Sequence, residues 1–359
     1  MSHQGFGEGC RRLVIVDGHE DIAFNWVQGR DFLKPAHEKR TLEGADSGRG
    51  ASTVGLHDLL EANVRVVFAT IWVAPCEATG FVGHGVPCYR TSEEAHDQAR
   101  AQLDYYLKLA EDQRIRLIKG RRDLEFALDP RESRLGLVVL MEGADPLITP
   151  QEAKAWFEAG VRIIAPAWRG TRYAGGTGAP GPLTPYGREL MGEMKRAGLI
   201  LDVSHLAEAS FFEALELFDG PVLASHSNCR TYVPTDRQLS DEMIRALVKR
   251  DAVIGVVLYS RFLRSDWRKG ESAKSEVTLV DVVRHMNHLR TLAGDTLHVG
   301  IGSDFDGGFG SESIPAELDT VADLPKIGQA LTNEHLSDED VRNILGNNWL
   351  RFLRKTLPE

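Results

Sequence analysis

The apolar positions of this chain fall into eight short runs, at 13–16, 64–72, 135–141, 161–165, 199–203, 221–224, 252–258 and 297–301. Most are rich in β-branched residues and nearly unbroken, VRVVFATIW and AVIGVVL being the fullest. A strand with one wet face alternates apolar and polar residues, whereas an unbroken run suits a strand covered on both faces of a parallel sheet. Between most runs the pattern turns helical, at 91–112, 149–159, 186–197, 208–218, 240–249, 280–292, 318–330 and 337–345. Ser92 with acidic residues behind it reads as a helix start, Pro150 as a first-turn residue, and Gly160 and Gly198 as helix stops. Eight strands alternating with helices predict an α/β fold, a TIM-type (β/α)8 barrel with insertions. A doubly wound open sheet is the alternative. No repeat, long linker or low-complexity tract divides the chain, so residues 1–359 read as a single domain.

Two connections are long. Residues 25–56 are charged and loop-like, and residues 166–185, PAWRGTRYAGGTGAPGPLTP, are rich in Gly and Pro. The GGTGAPG portion has no Gly-Lys-Ser/Thr after it, so a phosphate loop is not expected. A mobile lid over a site is the prediction, with an ordinary surface loop as the alternative.

A formal net charge of −10 argues against a nucleic-acid surface. No apolar stretch reaches membrane-spanning length, the first twelve residues lack an apolar signal core, and the TLPE terminus has no anchor tail. A cytoplasmic protein with neither nucleic-acid nor membrane partner is therefore expected. The four cysteines, Cys10, Cys76, Cys88 and Cys229, form no C-x-x-C pair. Cys76 and Cys88 flank a Gly-rich loop and could approach each other, but a reducing compartment predicts free thiols. His84 between them is expected in a solvated loop rather than in a Cys/His site.

The candidate chemistry lies just after the runs. His19 and Asp21 follow the first and, two apart in an extended segment, point the same way. Glu142 follows the third run, His205 the fifth within DVSH, His226 the sixth within ASHSN, and Asp304 the eighth within GSDFDG. A lone histidine after a strand is ordinarily a satisfied core or surface residue. Several ligand-type residues at the active end of one barrel argue otherwise. Three histidines and two carboxylates exceed the needs of one open catalytic zinc, and the two oxygens of Glu142 could bridge two cations. Nitrogen and carboxylate donors without thiolate suit zinc, with manganese or iron chemically admissible. Two such ions can share a hydroxide and polarise a carbonyl, leaving Asp304 as general base and acid. The plainer alternative makes Asp304 and Asp306 a polar turn with Gly302 and Gly307.

VDGHED (16–21), MEG (141–143), LDVSH (201–205), ASHSN (224–228), DRQLSDE (236–242), IGSDFDGG (301–308) and GNNWLRF (346–352) occur in this order. In these motifs the chain resembles, over nearly its whole length, the membrane (renal) dipeptidase family, the M19 metallopeptidases of the amidohydrolase superfamily. The resemblance implies a (β/α)8 barrel with two zinc ions, His19 and Asp21 binding one, His205 and His226 the other, and Glu142 both. It implies Asp304 as the catalytic aspartate, Arg237 as a substrate contact and Tyr259 as a pocket residue. The function implied is hydrolysis of small dipeptides through a metal-bridging hydroxide. One segment departs from the family. Where the family usually has a Thr-His-Asn-like stretch, whose histidine helps hold the reacting carbonyl oxygen, this chain has APAWRG (165–170), with Trp168 at the histidine position. Arg169, Arg172 or Tyr173 could supply the missing donor, Trp168 could line the pocket of a different substrate, or Trp168 could simply pack. A related amide, lactone or cyclic substrate, a catalytically silent member, and a homodimer as the assembly all stay open.

Overall fold

The computed structural model describes residues 13–43, 50–78, 86–131 and 134–359. Cys10 and His84 lie outside the described residues. The eight apolar runs become β1 (Ile15–Glu20), β2 (Val64–Trp72), β3 (Leu135–Glu142), β4 (Val161–Ala165), β5 (Ile200–Asp202), β6 (Val222–Leu223), β7 (Ile254–Val256) and β8 (Val299–Ile301). All pair in parallel, in the order β6-β5-β4-β3-β2-β1-β8-β7. A parallel bridge from Ala224 to Ile254 joins the two ends. The ring is nearly closed, a barrel rather than an open sheet. A short strand missing from the sequence reading, Ile115–Leu117, adds to the first residues of β3, ahead of the point where β4 takes over.

Alternate strand residues point to opposite faces, and two apolar layers follow. Val67, Val139 and Leu201 join the large cluster shared with the surrounding helices. Val66, Phe68, Val138, Leu140, Ile163 and Leu223 face the other way, into a second cluster with Trp349, Phe352 and Leu353 of the last helix, Asn348–Thr356. Trp349 meets Phe68 edge-on at 4.9 Å and donates its indole N–H to Ile301 O at 2.9 Å. Gly300 makes this approach feasible, since a Cβ there would stand 2.4 Å from the indole nitrogen.

The predicted helices form with local corrections, and unpredicted helices stand at Ile22–Val27, at Ala36–Glu43 inside the connection that reads as loop-like, at Leu56–Glu61 and at Arg121–Leu128. The N-cap of Ser92–Leu109 is Thr91, not Ser92, its hydroxyl accepting from Glu94 N at 3.3 Å. The helix expected at 318–330 begins late, as Pro325–Asn333, because proline has no N–H to give and fits only a first turn. The helix expected at 337–345 is Asp338–Arg342, which runs through a π-turn, Asn343–Asn347, into the last helix.

The Gly- and Pro-rich connection after β4 is not a bare loop. It carries an antiparallel hairpin, Ala174–Gly176 with Ala179–Leu183. Gly175 O accepts from Ala207 N at 3.0 Å, and Ser210 Oγ donates to Gly181 O at 2.8 Å, so the hairpin is fastened to the helix Glu208–Leu217. The expectation of free thiols at Cys76 and Cys88 is also overturned, because the two form a disulfide. The short ladder Ala74–Pro75 with Cys88–Tyr89 brings their Cα atoms to 4.8 Å, within bonding range. Cys229 is buried and free. Among the described residues no helix is long and apolar enough to cross a membrane.

Candidate metal centre

The run of apolar residues that starts β1 stops at Val16, but the strand continues to Glu20, so His19 stands inside it rather than beyond it. Extended backbone survives there because Asp17 satisfies its surroundings, accepting from Ser303 N at 2.7 Å and His19 N at 3.3 Å. Glu142 is the last residue of β3, and its carboxylate is the hub of the site. Oε2 lies 3.7 Å from His19 Nε2, while Oε1 lies 3.1 Å from His205 Nε2 and 3.3 Å from His226 Nε2. His19 Nε2 is 3.9 Å from Asp21 Oδ2 and 4.0 Å from Asp304 Oδ1. Residues spread over the whole chain thus meet at one point, at the C-terminal ends of the strands. His205 and Asp304 have φ of 68° and 59°, left-handed values that cost a non-glycine residue about 1 kcal/mol each and persist only where surroundings enforce them.

The imidazoles are held from behind. Ser225 Oγ donates to Asp202 Oδ2 at 2.5 Å and lies 2.7 Å from His226 Nδ1. With its own hydrogen committed to Asp202, Ser225 accepts from His226 Nδ1–H, leaving Nε2 as a bare lone pair. The same hydroxyl is 3.4 Å from His19 Nδ1, and Thr177 Oγ1 is 3.0 Å from His205 Nδ1. All three rings therefore turn Nε2 toward Glu142. Asp202 and Ser225 sit inside the LDVSH and ASHSN motifs, where the histidines are the ligand-type residues and nothing local marks the other two. Thr177, in a glycine-rich stretch, carried no signal.

The electrostatics ask for positive charge. Burial, reinforced by the Arg237 guanidinium, pushes His19 down to about 3, and burial pushes His205 and His226 well below the usual imidazole range. All three are neutral at physiological pH, with lone pairs to offer. Burial lifts Glu142 well above the usual carboxylate range, with the charges of Asp21 and Asp304 adding. Burial raises Asp304, and it raises Asp21 to about 7 with help from the Asp306 charge. Glu142 Oε1 and Asp21 Oδ1 are buried and lack any hydrogen-bond partner. Orphaned carboxylate oxygens beside neutral imidazoles are expensive unless a cation completes them, so the donor set fits divalent metal. His19, Glu142 and His226 form one group of atoms close enough to share an ion, and His19, Asp21 and Asp304 another.

Arg237 is buried beside the hub, donating to His226 O at 2.7 Å and to Ser227 Oγ at 3.3 Å. Tyr259 stacks on Phe309 at 4.4 Å and meets Phe262 edge-on, one layer out but near enough for the Asp304 charge to act on its phenol. Trp168 lies 6.2 Å from the His205 ring and 4.9 Å from Trp72, extending an apolar wall with Phe24 and Ala74. Of the residues proposed to replace the missing histidine, two are committed elsewhere. Tyr173 donates to Leu147 O at 2.5 Å, and Arg172 binds Ser92 Oγ and Ile148 O. Arg169, itself partnered, lines with Glu142, Trp168 and Tyr89 a cavity of about 10 Å³ beside the hub.

Residues 7–357 match the membrane dipeptidases, peptidase family M19. The chain belongs to this family. Two solved structures share its fold with a TM-score of 0.80 and 25% identity. One is a metallopeptidase of family M19 described as dipeptidase AC, with 97% of this chain and 100% of that chain covered. The other is a Rhodobacter sphaeroides metallopeptidase liganded with a phosphinate mimic of the dipeptide L-Ala-D-Ala, with 96% and 99% covered. An uncharacterized Klebsiella pneumoniae protein from the pqqA 5′ region is 33% identical over 251 residues, 67% of this chain and 89% of that protein. M19 membership makes the protein a metallohydrolase of the dipeptidase family, and the metal its family uses has a fitting set of donors here.

Proposed function

We propose that this M19 protein hydrolyses the peptide bond of small dipeptides with two zinc ions. His19 and Asp21 would hold one, His205 and His226 the other, and Glu142 both. The observation that carries this reading is the split of Glu142, whose Oε2 faces His19 while Oε1 faces His205 and His226. When bound, such a pair acidifies water and polarises a carbonyl oxygen.

The protein's own groups do the rest. Asp304, raised by burial and standing 4.0 Å from His19 Nε2, takes the proton of the attacking water and hands it to the leaving amine. Arg237, fixed through His226 O and Ser227 Oγ, orients the carbonyl or carboxylate end of the substrate. Trp168, with Trp72 and Phe24, forms the apolar wall against a substrate side chain, and Tyr259, with Phe262 and Phe309, supplies a second aromatic group. The dipeptide mimic held by the Rhodobacter sphaeroides structure favours a dipeptide as substrate.

Trp168 favours a second reading, in which the same centre opens another amide, a lactone or a cyclic substrate. The Cys76–Cys88 bond bears on location, since disulfides persist in oxidising compartments, and it weighs against the expected cytoplasm. The deciding experiment is hydrolysis by the zinc-loaded protein of dipeptides with L- and D-residues at the second position, with Asp304→Asn as control. Turnover that disappears in the variant is expected. No turnover on any dipeptide, with two ions bound per chain, would sink the dipeptidase reading in favour of the second.

A further inference from the structure

Asn25 lies in the short helix Ile22–Val27 that follows Asp21, and its side chain is buried. Its Nδ2 donates to Asp21 O at 2.9 Å and to Asp306 O at 2.9 Å. One amide group therefore ties the turn that carries Asp21 to the turn that carries Asp304, although the chain separates Asn25 from Asp306 by 281 positions.

The tie is itself braced. Asn25 Oδ1 accepts from Arg30 Nη1 at 3.0 Å, and Arg30 is held by Glu43 at 2.8 and 3.0 Å. Arg30 Nη1 also lies 3.5 Å from Asp306 Oδ2. The Asp306 carboxylate accepts from Thr53 N at 2.7 Å, Thr53 Oγ1 at 2.8 Å and Ser52 Oγ at 3.0 Å. Asp304 and Asp306 both adopt left-handed backbone, with φ of 59° and 61°, which relaxes unless something holds it. Two ties do so. Asp304 N donates to His19 O at 3.1 Å, and Asn25 takes Asp306 O.

We propose that Asn25 is a positioning residue that sets the spacing between Asp21 and Asp304, and through it the affinity of the His19–Asp21 half of the centre. The proposal rests on the roles given above to Asp21 and Asp304. Asn25 is not one of the proposed metal ligands, and its side-chain atoms are engaged by Asp21 O, Asp306 O and Arg30. It acts because a displacement of about 1 Å at reacting groups lowers rates about a hundredfold.

The test is Asn25→Asp, which keeps the shape but turns an oxygen toward two carbonyls. The expected result is a kcat lower by about ten- to hundredfold with KM within about twofold, and a similar weakening of zinc at one of two sites. Zinc affinity is read by competition with a chromophoric chelator and needs no turnover. Asn25→Ala, with the same expected losses, serves if Asn25→Asp does not fold. Asn348→Ala is the structural control, since Asn348 Nδ2 makes a matching pair of bonds to Thr296 O and Val299 O away from the centre, at 2.6 and 2.8 Å. It should lower Tm and leave kcat and zinc affinity alone. Wild-type kcat and zinc affinity in the Asn25 variants, or equal losses in Asn348→Ala, would overturn the proposal. Full activity in Asp304→Asn would instead overturn the functional reading, and the chelator measurement would still decide whether Asn25 sets the affinity.

Discussion

The hydroxyl of Thr177 lies 3.0 Å from Nδ1 of His205. Thr177 stands in the turn of the hairpin after β4, and the next residue, Gly178, donates its N–H to Asp236 Oδ2 at 2.7 Å, beside Arg237. A stretch that reads as a loose lid therefore orients one imidazole of the centre and braces the segment that carries the arginine. Groups that hold the far nitrogen of a ligating histidine fix its ring and its tautomer.

Thr177→Val keeps the side-chain shape and removes the hydroxyl. Zinc affinity at the His205–His226 half should fall about ten- to hundredfold, measured by chelator competition, with Tm of the metal-free protein nearly unchanged. An unaltered affinity would reduce the hairpin to packing.

Trp168 separates the two readings of substrate. If it is a wall, Trp168→Ala should raise KM several-fold for dipeptides with a bulky apolar residue and change kcat little. If its indole N–H serves the reacting carbonyl, kcat should instead fall, by about 10²–10³ for a full oxyanion donor. Steady-state kinetics on a glycine-containing and an aromatic dipeptide distinguish the two.

His285 offers a pH prediction away from the centre. It is fully buried, its Nδ1 accepts from Cys229 N at 3.1 Å, and its Nε2 lies 3.2 Å from Leu263 O, to which it must donate. Both nitrogens are engaged in the neutral form, and burial pushes the imidazole down to about 4. Between the unfolded value of about 6.5 and the folded value near 4, the unfolded chain binds the extra proton. Stability is therefore full above pH 6.5 and falls as pH drops toward 4, by roughly 3 kcal/mol for this group alone. His285→Gln, which keeps a donor and an acceptor but does not titrate, should flatten the acid dependence of the denaturant midpoint. An unchanged dependence would remove His285 as a cause.

The Cys76–Cys88 bond closes a short loop, with a sequence separation of 12. By loop-closure entropy, its loss should destabilise the protein by up to about 3 kcal/mol. Free-thiol titration under denaturing conditions should find Cys76 and Cys88 blocked until a dithiol reductant is added, and the denaturant midpoint should fall on reduction. Thiols at both positions before reduction would contradict the pairing.

Hydrophobic period is a local property, and it marks the eight barrel strands and the helices between many of them. The positions of His19, Asp21, Glu142, His205, His226 and Asp304 just after apolar runs were equally local, and a barrel brings such positions together because all its strands end on one face. The motifs named the family for the same reason, each being a contiguous stretch of chain. Other features depend on contacts that no window of sequence contains. β1 runs on through Glu20 because Asp17 finds Ser303, just past the end of the neighbouring strand β8. The Gly-rich segment forms a hairpin because Ser210 and Ala207 receive it. Cys76 and Cys88 pair because a two-residue ladder aligns them. Thr177, Ser225, Asp202 and Asn25 gain their places from partners that are, for Asn25, 281 positions away. Composition and periodicity report which residues avoid water. Which polar atom meets which, and hence how the centre is held, is decided only when the folded chain removes water and each buried donor and acceptor must find a partner.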